Sequence, residues 1–325
     1  MQSELRKELL DAFTKAGDSF LSGQSIAELI GCSRTAVWKH IEELRKDGFE
    51  LEAVRRKGYR IIKTPDNIKP DEIRFGLTTK YIGHNLYYED QVDSTQKIAH
   101  RLANEGAKTG TVVIAEEQLS GRGRMERKWY SPKFTGIWMS LILRPNIPLI
   151  KAPQLTLLAA VAIVQAMEEM AGVSPEIKWP NDILVNGKKV TGILTELQAE
   201  ADRIHSIIIG IGINVNQQIT DFPIDLQNTA SSLAIETGKK ISRSDLIRSI
   251  FSHFEKMYEL YLAEGFYPVK LLWESYVRSI GREITAHTLT ATIKGKALGI
   301  TDDGVLQVED ENGKIHSIYS ADIEI

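Results

Sequence analysis

The spacing of apolar residues changes twice along this chain of 325 residues, and no single-domain pattern accommodates all three regimes. The first sixty-odd residues have helical spacing. Leu5, Leu9, Leu10 and Phe13 share a helix face closed by Gly17, and Ile26, Leu29 and Ile30 make a second, stopped by Gly31. Ser33 is placed to cap a third helix with Val37, Ile41 and Leu44 inward, ending at Asp47-Gly48. Phe49–Val54 then alternates apolar and polar, and Tyr59–Ile62 resumes after Arg55-Arg56-Lys57-Gly58. Three short helices and a hairpin predict a winged helix-turn-helix domain over 1–65.

Thr64-Pro65-Asp66 and Lys69-Pro70-Asp71 read as a linker. From 66 to 276 strands and helices mix. Strands are expected at Thr111–Glu116, Gly136–Leu143, Ile183–Val185, Val190–Gln198 and Ser206–Ile213, and helices at Thr95–Glu105, Leu155–Ala171 and Ser244–Leu262. Tight turns such as Asn186-Gly187 favour an antiparallel or mixed sheet over regular βαβ alternation, so this is an α+β domain. Over 277–325 the strands become short: Ile284–Leu289, Thr292–Ile300, Val305–Glu309 and Lys314–Tyr319, with turns at Asp303-Gly304 and Asn312-Gly313. That spacing predicts a small β-barrel of the SH3-like kind.

Composition excludes little: the net charge is -3. Residues 1–65 hold twelve Lys/Arg against ten Asp/Glu, so the N-terminal domain is only weakly basic. The single cysteine, Cys32, rules out an intrachain disulfide and fits a cytoplasmic protein; it reads as a small buried residue. The N-terminus has no signal-peptide core, and the apolar run Leu157–Val164 breaks at Gln165, short of the roughly 20 residues that span a bilayer. No membrane association is expected.

In a helix-turn-helix, the first residues of the second helix of the pair reach base edges. Here these are Ser33, Arg34, Thr35, Trp38 and Lys39, with Arg55, Arg56 and Lys57 at the wing tip available to phosphates. Trp38 fits a core position equally well. A weakly basic domain binds DNA poorly alone, so a dimer on two half-sites is expected. The competing reading is a protein-interaction module of the same fold, which a ligand-dependent footprint would separate.

The central domain lacks the usual nucleotide and catalytic motifs. No P-loop occurs, neither Gly121-Arg122-Gly123 nor Gly210-Ile211-Gly212 completes G-x-G-x-x-G, and there is no H-E-x-x-H, C-x-x-C or G-x-S-x-G. Gly121-Arg122-Gly123-Arg124, with Arg127 and Lys128, is instead suited to phosphate. Its glycines allow close backbone approach, and its cations repel one another until an anion arrives, so the loop should be mobile when empty. Lys178-Trp179-Pro180-Asn181-Asp182 places polar groups at a turn, and the Asn186-Gly187 hairpin lets one of Lys188 and Lys189 point back into the sheet. A solvated basic loop and solubilising lysines are the plain alternatives.

Together with Asp93-Ser94-Thr95, Glu117-Gln118, Trp129 and Gly210–Asn216, these segments resemble the biotin protein ligase family, and with the N-terminal domain its biotin operon repressor branch. The resemblance covers essentially the whole chain. It implies that biotin and ATP, accompanied by Mg²⁺, form biotinyl-adenylate, and that a lysine of a biotin carboxyl carrier domain then takes the biotin. It places Ser94, Thr95, Gln96, Gln118, Gly210 and Gly212 around biotin. Arg122, Gly123 and Arg124 lie over the biotin carboxylate and phosphate, and Lys189 contacts the carboxylate and α-phosphate. Trp129 packs on adenine, and Asn181, Asp182 and Asn214 serve the nucleotide. The resemblance implies Lys189, Arg124 and Arg122 as the catalytic cations, with no metal held by the protein and Mg²⁺ arriving with ATP. The resemblance also implies a homodimer when adenylate is bound, which represses biotin genes by binding operator DNA. The sequence departs from many relatives at Met125 and Glu126, where they carry a basic residue and a glycine; this bears on loop closure and adenylate retention.

Two other functions are weighed against this one. A biotin-sensing transcription factor without ligase activity has no need of Lys189 or the arginine loop. A lipoate or octanoyl ligase would want an apolar tunnel and leaves Lys178–Asp182 unexplained.

Overall fold

The computed structural model describes residues 2–63, 67–200 and 203–324. They form two compact units: residues 1–78 with 242–248, and residues 79–241 with 249–325. The expected linker at Thr64-Pro65-Asp66 falls outside the described residues.

The first unit contains α1 (Gln2–Ala16), α2 (Gly23–Leu29), α3 (Arg34–Lys46), β1 (Glu50–Val54) and β2 (Gly58–Lys63). Leu9, Leu10, Phe13, Ile26, Ile30, Val37, Ile41, Leu44, Phe49 and Ile61 form one buried cluster, as the helical spacing marks out, except that Leu29, expected on the inner face of α2, is 63 % exposed. Ser33 caps α3, its hydroxyl accepting the Ala36 N–H at 3.2 Å. β1 and β2 pair antiparallel, and Leu21 adds a third segment by exchanging 2.9 Å backbone bonds with Tyr59. This explains Gly58: at φ +114° a Cβ there would lie 1.9 Å from the Leu21 carbonyl oxygen. Lys69-Pro70-Asp71, expected as linker, instead opens the short helix α4 (Pro70–Arg74). Proline is well placed at a first helical position, where its missing N–H costs nothing.

The second unit is built on a seven-stranded mixed sheet. In chain order it comprises β3 (Leu86–Glu89), α5 (Thr95–Asn104), β4 (Thr111–Ala115), β5 (Gly136–Leu143), α6 (Ala152–Ala171), β6 (Glu176–Lys178), β7 (Asp182–Val185), β8 (Lys188–Glu200), β9 (Arg203–Asn214) and α7 (Leu233–Thr237). Then come α8 (Arg243–Glu264), whose first residues cluster with the other unit, and α9 (Tyr267–Tyr276). The strand order is β3-β4-β5-β9-β8-β7-β6, with β3–β4 parallel and the other pairs antiparallel. Asn186 and Gly187 both have positive φ, as a two-residue hairpin turn requires.

α6 is longer than the apolar run suggests, and by length and composition it could cross a membrane. Thirteen of its twenty residues are buried, and it packs against β6, β7, β8, β9 and α9. A helix covered on several sides is apolar all round for that reason. The C-terminal β-rich region forms a five-stranded antiparallel sheet from β10 (Glu283–His287), β11 (Thr292–Ile300), β12 (Leu306–Glu309), β13 (Ile315–Ile318) and β14 (Asp322–Glu324), in the order β13-β12-β11-β10-β14. Its turn 302–304 is tied to the helices and the main sheet: Gln154 donates to the Asp302 carbonyl at 2.7 Å and Trp179 to that of Gly304 at 3.4 Å.

Candidate functional site

A cavity of about 480 Å³ opens over the middle of the main sheet. Its floor is a patch without side chains. β8, β9 and β5 set Gly192 opposite Gly212, Gly212 opposite Trp138, and Gly210 opposite Ser140. A Cβ on Gly212 would lie 2.3 Å from Trp129 Nε1, and one on Gly210 would lie 2.7 Å from Gln96 Oε1. The floor therefore holds an indole on one side and an amide on the other at contact distance.

At the amide end the wall is neutral and closely hydrogen-bonded. Thr95 N–H donates to Gln118 Oε1 at 2.9 Å, Gln118 Nε2 donates to Ser131 Oγ at 3.0 Å, and Ser140 Oγ donates to Gln96 Oε1 at 2.9 Å. Ser94, at the start of α5, is 2 % exposed and makes no cap bond. Neutral polar groups buried together in this way suit a neutral polar ligand.

The indole end is cationic. Lys189 Nζ lies 2.7 Å from Asp182 Oδ1 and 5.4 Å from the Trp129 ring centre. Trp129 meets Trp138 edge-on at 6.4 Å, and its Nε1 is buried without a hydrogen-bond partner. Asn181 donates to the Ile193 carbonyl at 3.0 Å and accepts from Arg124 at 3.0 Å; Asn214 accepts from Gln217 at 3.1 Å. The Trp179–Pro180 peptide leading into this turn is cis.

The arginine-rich segment folds back on itself, with Gly123 N–H bonded to Arg127 O at 2.7 Å and Trp129 N–H to Gly121 O at 2.9 Å. The expected repulsion among its cations is met by acids of the protein itself: Arg122 pairs with Glu126 at 3.6 Å and Arg127 pairs with Asp322 of β14. Arg124 also donates to Ser320 at 2.5 Å. Burial pushes the Arg124 guanidinium down from its ordinary value, opposed by Asp182 and Asp322. Met125 and Glu126 both sit at positive φ (54° and 56°), where glycine is favoured, so the departure from the family pattern falls on a strained stretch of backbone.

Every ligase-site residue named from the sequence lines this one cavity: Ser94, Thr95, Gln96, Gln118, Arg122, Gly123, Arg124, Trp129, Asn181, Asp182, Lys189, Gly210, Gly212 and Asn214. Sequence reading missed Ser140, Ser131, Gly192 and Asp322. A lone serine in the apolar run Gly136–Leu143 was a usable signal for the first; nothing local marks Asp322. In the other unit Ser33, Arg34, Thr35, Trp38, Lys39, Arg55, Arg56 and Lys57 are all exposed. Trp38, 57 % exposed, is not a core residue, and Cys32 is half-buried rather than buried.

Residues 88–214 match the model of the Biotin/lipoate A/B protein ligase family, residues 6–60 an HTH domain, and residues 279–325 the Biotin protein ligase C terminal domain. The Bifunctional ligase/repressor BirA of Bacillus subtilis (strain 168) is 60% identical over 325 residues, covering 100% of both chains. The protein of the same name from Escherichia coli (strain K12) is 29% identical over 297 residues, 91% of this chain and 90% of that one. The solved biotin protein ligase from Aquifex aeolicus, in complex with biotin and ATP, superposes with a TM-score of 0.65 at 31% identity, over 74% of this chain and 99% of its own. Fold and site thus define a biotin protein ligase joined to a helix-turn-helix domain. The chain belongs to the family of bifunctional biotin protein ligases and repressors.

Proposed function

We propose that this protein activates biotin with ATP as biotinyl-5′-adenylate, transfers the biotin to a lysine of a carboxyl carrier domain, and represses biotin genes with the adenylate as corepressor. The observation that carries the reading is the cavity, where a neutral hydrogen-bonding wall meets a cationic one across a glycine floor. Biotin's neutral ureido ring occupies the end built by Ser94, Thr95, Gln96, Gln118 and Gly210. Gly212, expected around biotin, is read instead with Trp129 at the adenine end, because a Cβ on it would lie 2.3 Å from the indole Nε1; Asn181, Asp182 and Asn214 serve the nucleotide.

The carboxylate oxygen attacks the α-phosphorus and pyrophosphate leaves. Two anions must approach, and Lys189, Arg122 and Arg124 lower that barrier; removing one such fixed group costs about 3 kcal/mol of transition-state stabilisation. The carrier lysine, as free amine, then attacks the acyl carbon, loses a proton and displaces AMP, a step governed by positioning. The oxygen donors of Asp182, Asn181 and Asn214 are of the kind Mg²⁺ accepts beside phosphate, and Mg²⁺ supplies charge neutralisation for the triphosphate.

The assignment of 1–65 to DNA binding, 66–276 to ligation and 277–325 to a C-terminal β domain belongs to the same proposal. So do a cytoplasmic location and a homodimer formed with adenylate bound, presenting Arg34, Thr35, Trp38 and Lys39 to the major groove and Arg55–Lys57 to the backbone. The test is transfer to a purified carrier domain, followed by intact mass. One biotin added, dependent on ATP and lost when the carrier lysine becomes arginine, supports the reading; lipoate transfer in place of biotin overturns it.

A further inference from the structure

Lys189 reaches the cavity because β8 breaks its own alternation. Thr195 of β8 is bonded to Thr156 of α6 at 2.7 Å, so by alternation Thr191 shares the α6 face, whereas Gly192 and Leu194 line the cavity. Strict alternation would carry Lys189 to the α6 face as well. Instead Ile183 of β7 pairs with Thr191 and the next residue, Leu184, pairs with Lys189. Val190 is thus an extra residue with no partner on β7, and it is fully buried. A bulge of this kind re-aims the side chain beside it, and Lys189 lies with Leu184 on the cavity side.

A bulge weakens the ladder, and β9 does not extend this far: Ile213 pairs with Thr191, and Lys189 lies beyond that last pair. The place beside Lys189 is taken by the strap 229–231. Lys189 N–H donates to the Thr229 carbonyl, and its own carbonyl accepts from Ser231 N–H, both at 2.9 Å. The strap is tied in turn to α7. Buried Ser231 donates its hydroxyl to Glu236 Oε1, and Asn186, at the positive-φ turn before Lys189, donates to Glu236 Oε2 at 2.6 Å. α7 is anchored without Glu236: Leu233 is fully buried, Ala234 N–H donates to the Val215 carbonyl at 2.7 Å, and Ser232 Oγ donates to that of Gln217 at 2.7 Å. One carboxylate on a fixed helix therefore holds both the turn and the strap that flank Lys189.

We propose that Glu236 is a positioning residue for Lys189, acting through the strap and the turn to keep the bulge that aims the ammonium into the cavity. The inference rests on the reading of Lys189 as a cation of adenylate formation. It is tested by biotin-dependent pyrophosphate exchange in the full chain with Glu236→Ala, Glu236→Gln and Asn186→Gly, each made with Lys189 present and again with Lys189→Ala.

Glu236→Ala is expected to lower kcat about tenfold, part of the roughly 100-fold that a misplacement of about 1 Å can cost, with KM for biotin held within about twofold. In the Lys189→Ala background the same substitution should change the rate by less than about twofold, because a residue that acts only through Lys189 has nothing left to position. Glu236→Gln should recover to within about threefold of wild type, its amide oxygen accepting from Asn186 and its nitrogen donating to Ser231. Asn186→Gly keeps the positive φ and removes one of the two ties. Its expected loss of about threefold, again absent without Lys189, tests the proposal even if the alanine variant folds poorly. Full kcat in Glu236→Ala overturns it, as does a loss of the same size with and without Lys189, the mark of a merely structural role. No biotin-dependent exchange in wild type overturns the ligase reading itself, a result distinct from either.

Discussion

Gly210 and Gly212 lie two residues apart on β9, yet one abuts Gln96 and the other Trp129, and if those mark the two ends of the proposed site, alanine at each should separate the two substrates. Neither has a positive φ, so the backbone tolerates alanine and the effect is one of contact. A Cβ at Gly212 meets Trp129 Nε1 at 2.3 Å and Cε2 at 2.5 Å. Normal contact is about 3.5 Å, so the indole must retreat by about 1 Å. A displacement of that size at a positioned group costs as much as about 100-fold in rate. At Gly210 the new Cβ meets Gln96 Oε1 at 2.7 Å, disturbing an amide that makes three hydrogen bonds. Leaving one of those groups buried and unpaired costs about 1–3 kcal/mol. Pyrophosphate exchange with biotin and ATP varied in turn reads both. Gly212→Ala should raise the KM for ATP ten- to 100-fold (about that range) and leave that for biotin nearly unchanged; Gly210→Ala should do the reverse. Equal effects of either variant on both substrates would refute the division of the cavity.

Asp322→Ala removes the carboxylate paired with Arg127 and one of the two that oppose the burial of Arg124, so adenylate should escape several times faster in a chase with unlabelled ligand; an unchanged escape rate would count against the β14 contact as a catch. Lys57→Ala at the exposed wing tip should reduce the slope of log affinity against log salt on operator DNA by about one, as expected for one phosphate contact, and an unchanged slope removes Lys57 from the interface. In the N-terminal unit, burial pushes the Glu72 carboxyl up to about 7, with Oε1 accepting from Asn67 and Oε2 buried without a partner. Between pH 4.5, its ordinary value, and about 7 the folded state holds a proton that the unfolded chain releases, so stability falls as pH rises through that window, by up to about 3 kcal/mol. Hydrogen exchange of α4 in the full chain should show that loss, and Glu72→Gln should flatten it; an identical pH slope in the variant excludes Glu72 as its source.

The architecture was legible where one face of an element is buried and periodicity records it. α3, β5 and β11 fall within a residue of where spacing puts them, because Val37, Ile41 and Leu44 are inward and β5 is buried throughout. Short elements were legible only beside a turn signal, as β7 and β13 are beside Asn186-Gly187 and Asn312-Gly313; β3, β6, α7 and β14, three to five residues long, were missed, and α9 carries only two buried residues. The site was legible through unusual local chemistry, adjacent glycines and clustered arginines. Its supports were not, since Ser131, Asp322 and Gly192 gain their roles from neighbours distant in sequence. Trp38 shows the limit plainly: an aromatic at helical spacing fits core or surface, and only the fold puts it outside.

The measurement that tests the central claim most directly is biotin-dependent exchange of labelled pyrophosphate into ATP by wild type and Lys189→Ala. Exchange that requires biotin and falls by about 100-fold in the variant, the share of one preorganised cation, is the predicted result. Wild-type exchange supported by lipoate or octanoate but not by biotin, or full activity without Lys189, would contradict it.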